Sequence, residues 1–552
     1  MRYHPNGLLW TQTDGANHTT TFADYHRGIA RSVTLADTRT IAADVNDYGE
    51  IIALTNPANF TTRYEYDPLG RLKRIDYPDG DVPEWNDTRL TFAPAGPEYG
   101  LPVGHWKQTV GTGTALTENI LDALWRPVLT RTVDTADVDG TQRMTLRRFD
   151  SGGRETYASY PQRTIASVLV NPLPAGTAMT YDAIGRLTDT AASWEGAGTL
   201  TTSVRWLDGY TKRTTNARGK IATTTFQAFD EPDESAPLVI SAPETAVTTI
   251  VRDGFGKPLT MTRSGTYQGN AISAVRRYVY DPQQRLCKTI EPESGATVQA
   301  YNGANLVEWT ATGQNLASTS SCEQGGVAAN QKATYTYDAV NRLTATTYAD
   351  GATLPITRAY TADGLLETIA SDNSTWTTTY NRRRLSTNET LALDGVNYAI
   401  DYTYTANGHA ASLRYPDGTT VSYAPNALGE ATRVGNYATQ IATHPNGALA
   451  NFRYGNNIAH TTRQNVRGLP SNSTDTGVLN DAYTFDENAN VTGIADGLGG
   501  TFTRTMTYDD LDRLTSATNA ALWNGAHTFG YDPLDNLRTT AAMRSRRCVV
   551  AW

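Results

Sequence analysis

Five aspartates, Asp67, Asp182, Asp281, Asp338 and Asp509, each follow a tyrosine directly and precede an arginine by four positions. A carboxylate recurring this way could act as a general acid or a metal ligand. The arginines Arg71, Arg186, Arg285, Arg342 and Arg513 could bind an acidic ligand as a ladder. The tyrosines Tyr66, Tyr181, Tyr280, Tyr337, Tyr508 and Tyr531 could stack on sugars. Spacing favours a plainer reading. In Asp67-Pro68-Leu69-Gly70, Asp, Pro and Gly fall where a type I turn wants them, and Gly185 closes the Asp182 copy in the same way. The aspartates are then expected to cap turns, and the arginines to pair with acidic neighbours across strands, each pair worth little.

Other candidate chemistry fails on spacing. Asp486-Glu487-Asn488-Ala489-Asn490-Val491 begins like a calcium loop, but Val491 and Gly497 stand where a glycine and a glutamate are required. The acidic stretch from Asp134 to Gly140 misses ligand spacing as well. Gly254-Phe255-Gly256-Lys257 lacks the third glycine of a dinucleotide site, and no HExxH, GxSxG or phosphate-loop pattern occurs. His4, His26, His409 and His444 sit at turn positions. The three cysteines, Cys287, Cys322 and Cys548, lie in unrelated contexts, so neither a disulfide framework nor a zinc site is expected. No catalytic, cofactor or metal residue is assigned, and the chain is expected not to be an enzyme.

The elements that place these residues recur. In the N-terminal series the leading positions are 3, 24, 45 and 66, each with a glycine four residues later: Gly7, Gly28, Gly49 and Gly70. The C-terminal series leads at 337, 360, 380, 404, 423, 443, 464, 485, 508 and 531, and Tyr531-Asp532-Pro533 with Asn536-Leu537 is a sixth strong copy beside the five that carry arginine. Tyr64 and Tyr66 alternate with polar residues, so both rings share one face of a strand. Second turns follow at Tyr77-Pro78-Asp79-Gly80, Tyr348-Ala349-Asp350-Gly351 and Tyr415-Pro416-Asp417-Gly418. Each unit is strand, turn, strand, turn. Leu72 and Ile75 are an odd number apart, which calls for a β-bulge or for apolar packing on both faces. Insertions are expected near 82–120, 160–176 and 305–332, and after Leu537 the register dissolves into a degenerate tail, 541–552, as a broken or truncated reading frame would give.

Composition agrees with a sheet more than with a thick core. Of 552 residues 39% are hydrophobic, and 30 tyrosines outnumber 11 phenylalanines. The net charge of −9, without basic stripes, disfavours nucleic acid. No signal peptide or membrane span is readable. Edge-to-edge hairpins with right-handed twist must curl, so the predicted fold is all-β: a hairpin array over 1–540, one domain, bending into a spiral or barrel-like shell, complete or partial.

These residues resemble the YD-repeat family, the bacterial rearrangement-hotspot (Rhs) proteins, with relatives among insecticidal toxin complexes and animal teneurins. The resemblance covers essentially positions 1 to 540. It implies a cocoon-like spiral that encloses a C-terminal polypeptide, often a toxin released after cleavage at a core segment. It also implies export, in some members by type VI secretion, and a role in competition between cells. No delivery module and no self-cleaving core is read here, so self-cleavage and toxin activity are carried over to no residue. The expected function is a structural shell that sequesters and helps deliver an effector absent from this chain. The expected partners are that toxin polypeptide and a secretion machinery. The protein would be made in the bacterial cytoplasm and secreted or held at the cell surface. The alternative is a surface protein that binds carbohydrate through its tyrosine and arginine rows.

Overall fold

The computed structural model describes residues 1–228, 232–519, 521 and 525–542. Among these are 45 strands and a single α-helix of four residues, Val138–Thr141. Within each of two sheets every strand pairs antiparallel with the next in sequence, so each sheet is a long meander. The first 35 strands form one sheet and the last 10 a second. Residues 423–437 join them through the isolated bridges Pro425↔Ala431 and Val434↔Ala438.

The hairpin reading holds at the level of single bonds. The Asp67 carbonyl accepts the Gly70 N–H at 2.9 Å, and Asp67 N–H donates to the Arg71 carbonyl at 2.9 Å. A type I turn closed by a left-handed residue thus joins Thr61–Tyr66 to Leu72–Asp76. Tyr66 pairs with Leu72, and Glu65 with Arg74, which leaves Lys73 as the extra residue of a bulge. The same shift recurs at Tyr181, Tyr280, Tyr337, Tyr360, Tyr380 and Tyr508. The bulge settles the Leu72/Ile75 spacing.

One sheet face carries the half-buried tyrosines; the other is polar and exposed, as Tyr64, Glu65 and Tyr66 illustrate. Two places depart. Where residues 95–105 and 160–175 fold over the polar face, it turns apolar: Ile120, Leu129, Met144 and Leu146 pack beneath Ile165 and Val168. Where residues 315–332 do so, Ala296, Val298 and Ala311 pack beneath Val327. These segments are covers, and they narrow the expected insertions. Thr88–Pro94 and Trp106–Thr112 are regular strands inside 82–120, Ala115–Leu121 begins there, and Val307–Gln314 is a strand inside 305–332.

Three further expectations need correction. Cys287 and Cys322 form a disulfide, with Cα atoms 5.5 Å apart, that ties the third cover to the sheet; Cys548 lies outside the described residues. The tail does not begin at 541, because Leu537–Ala542 is a strand paired with Gly525–Tyr531; residues 543–552 lie outside the described residues. The unit marked at 423 turns at Asn426–Gly429, so its leading position is Pro425.

Long-range contacts reveal the curl. His18 reaches Asn341 at 3.0 Å, Asn86 reaches Asn407 at 2.7 Å, and Arg218 reaches the Asp509 carbonyl at 2.8 Å. Such contacts join residues 266 to 327 positions apart all along the chain. That interval is one winding of a spiral. The second winding, from the turn at Asn302–Asn305 onward, seats its tyrosine-led turns on the return turns of the first. At Gly15 the two backbones come so close that a Cβ would lie 2.0 Å from the Gly303 carbonyl oxygen, so only glycine fits. The seam is polar, with Arg218 paired to Asp512 at 2.6 Å and Lys220 to Asp510 at 2.7 Å.

Candidate functional site

The residues singled out by chemistry converge on one recurring device. In each turn one carboxylate oxygen accepts two backbone N–H groups. For Asp67 these come from Leu69 and Arg71, at 2.9 and 3.1 Å. The other oxygen takes the guanidinium four residues on: Arg71 at 2.7, Arg186 at 2.7, Arg285 at 2.8, Arg342 at 2.6 and Arg513 at 2.7 Å. The arginine therefore pairs within its own turn, not across strands as expected.

Neighbouring units are then clipped together twice. The tyrosine hydroxyl donates back to a carbonyl of the preceding unit: Tyr66 to Ile51 at 2.9, Tyr181 to Glu155 at 2.6, Tyr280 to Pro258 at 2.9, Tyr337 to Val307 at 2.7 and Tyr508 to Val491 at 2.9 Å. The arginine reaches forward over the next unit's aromatic ring. Arg71 lies 4.7 Å from Phe92, Arg285 4.6 Å from Tyr301, Arg342 4.7 Å from Tyr360 and Arg513 4.8 Å from Tyr531. Asp532 accepts from Leu534 N and Asn536 N, at 2.8 and 2.9 Å.

Left-handed residues close these turns. Gly70 and Gly185 have φ of +76° and +90°, and Gln284, Asn341 and Asp512 hold the same region in the copies without glycine. Two turns escaped the sequence reading, Asp122/Arg126 and Asp150/Arg154, with the same contacts. The four-residue Asp-to-Arg offset would have found both, although Trp125 stands in the glycine place of the first.

Protonation follows from these contacts. The Arg186 backbone N–H and then its guanidinium hold the Asp182 carboxyl below the usual range. At Asp281 burial pushes upward most strongly, but the Arg285 N–H and guanidinium together outweigh it, so the carboxyl is lowered. The Arg205 guanidinium and the Ser203 hydroxyl take Asp189 down to about 2. Burial pushes the Tyr66, Tyr280 and Tyr337 phenols up, which keeps them donors. Charged carboxylates with full sets of donors suit turn caps and not general acids.

Among the described residues no group of three or more His, Cys, Asp or Glu is placed to hold a metal. At the calcium-like loop Asp486 Oδ1 accepts from Asn488 N and Asn490 N, at 3.0 and 2.8 Å, and Arg218 supplies the positive charge. A cleft of about 770 Å³ opens on the seam beside Met261, Leu511 and Leu534. Its cations are already engaged, Arg263 with Asp535 and Arg276 with Glu291. No described helix is long and apolar enough to cross a membrane. The motif side chains named above are thus engaged in holding a curved wall.

A family model described as RHS Repeat matches residues 46–82. Three solved structures are similar at 12% identity. The crystal structure of TcdB2-TccC3-TEV gives a TM-score of 0.70 over 98% of this chain and 35% of that one. TcdB2-TccC3-Cdc42 gives 0.67 over 95% and 34%, and the Photorhabdus luminescens Tc holotoxin pore 0.58 over 98% and 34%. The chain spans about a third of the length of these structures. No curated protein matches it by sequence.

Proposed function

Because the chain is a YD-repeat protein of the Rhs type, folded as a spiral β-sheet shell, we propose that it works by enclosure: its wall sequesters a C-terminal effector polypeptide and helps to deliver it. The observation that carries this reading is the seam. A second winding seated on the first along its whole length turns a ribbon into a wall with an inside. The wall acts without catalysis. Its polar face, lined with threonines such as Thr336, Thr379 and Thr507, offers an unfolded passenger hydrogen bonds but few apolar patches on which to aggregate. Similarity to solved toxin complexes supports a toxin as passenger and export as destination; in bacteria, type VI secretion and competition between cells are the setting this reading favours. The carbohydrate-binding alternative loses ground, since the tyrosine hydroxyls and arginine forks that would grip a glycan are already engaged.

The test is protection of a passenger. The chain is produced with an intrinsically unfolded polypeptide fused after its last residue and challenged with a protease. Enclosure predicts that the passenger survives many times longer than the same polypeptide free. Cleavage at the free rate contradicts the proposal.

A further inference from the structure

The seam uses only half of the available edges. Tyrosine-led turns of the second winding meet return turns of the first. Among the described residues, the tyrosine-led turns of the first winding and the return turns of the second make no contact with another winding. On the upper rim, Tyr48, Leu69, Leu124, Ile184 and Phe255 all occupy the third position of their turns, and they are 68–89% exposed. At the same position in the second winding stand Val340, Leu428, Leu511 and Leu534, which are half-buried where that winding is seated. One repeat position therefore carries large apolar side chains on both windings, and only one winding covers them. Single exposed apolar residues are ordinary; a row at equivalent positions along one edge is not.

A second observation falls on the same rim. Trp125 takes the glycine place of its turn at φ +61°, a conformation that a bulky side chain adopts only at a cost, and is 59% exposed. It stands edge-on to Phe92 and Trp106, which stack 4.9 Å apart. A strained, exposed tryptophan braced by two aromatics has the character of an interface anchor.

We infer that this rim is a docking edge for a second copy of the chain, which seats its own free return-turn edge there. The internal seam supplies the pattern, since motif turns of one winding accept return turns of another. The free lower edge offers such turns at Asp394-Gly395, Tyr415–Gly418 and Thr476-Gly477. It is apolar to match: Val396, Tyr437, Val478, Leu498 and Phe502 are exposed there. The contact is head-to-tail, so copies stack and lengthen the wall. The inference rests on the spiral geometry of the proposed shell and adds an occupant to it.

Sedimentation of the full chain over a range of concentrations tests it. The wild type is expected to associate beyond the 60.0 kDa monomer. An upper-rim variant, I184D/F255D, and a lower-edge variant, V478D/F502D, each stay monomeric with unchanged circular dichroism. Mixed together they form a heterodimer and nothing larger, because one sound edge remains on each. Trp125→Gly, which relieves the backbone but gives up the edge-on contacts to Phe92 and Trp106, weakens association by about tenfold or more with circular dichroism unchanged. A wild type that is monomeric throughout overturns the inference, as does association that the rim substitutions leave unchanged. The passenger-protection result on the monomer judges the enclosure reading separately.

Discussion

A tyrosine, an aspartate and an arginine at fixed offsets perform three tasks in each unit that carries the full motif. The aspartate shapes the turn, the tyrosine hydroxyl holds the unit behind, and the arginine bridges its own turn to the ring ahead. Because each contact joins neighbours, losing one should be felt locally. Tyr337→Phe removes the 2.7 Å bond to the Val307 carbonyl. It is expected to cost about 1 kcal/mol in denaturant unfolding and to raise hydrogen exchange in the flanking strands alone; unchanged exchange there would contradict the clip. Acid should act on many units together. Folded carboxylates with lowered pKa stabilise fully above their unfolded value, near 3.9, and that stability is lost as pH falls through the folded value. For Asp189 that window runs down to about 2. The thermal midpoint should therefore hold from neutral pH to about 4 and then fall. An Asp182→Asn variant should start lower and fall less steeply.

At the scale of elements, the hairpins were legible because Tyr-x-Tyr-Asp and Asp-x-x-Gly put strand and turn chemistry at fixed offsets. The bulge was legible as an alternative, from the odd spacing of Leu72 and Ile75. The arginine's partner was misjudged, since a hairpin turn folds position i+4 back onto i, and strand alternation does not convey this. The disulfide was invisible: a separation of 35 residues says nothing of how residues 315–332 fold back over the sheet. That cover is held in three ways, by the disulfide, by fully buried Lys288 bonded to Glu323, and by Val327 packed on the sheet. Cys322→Ala should lower the cover's stability by about 3–4 kcal/mol. Hydrogen exchange should rise over 315–332 and leave Asp67–Gly70 unchanged. Equal exchange in both proteins would show that the bond is not what holds the cover.

For the whole molecule, the curl was anticipated but its period was not. A repeat of 21 residues fixes the hairpin, whereas the winding depends on a small twist added at every strand pair and bulge, which no single repeat displays. The seam makes the period visible, because polar turns as far apart as Asp14 and Asn341 become neighbours. That stacking defines the molecule: two windings, one above the other, form a wall a single sheet thick. A cryo-electron microscopy reconstruction of the full chain measures it directly. The account predicts a hollow particle whose wall shows two stacked tiers, with the turn at Asn86 against the turn at Asn407. A solid particle, or a single extended ribbon in which those two turns lie far apart, would contradict it.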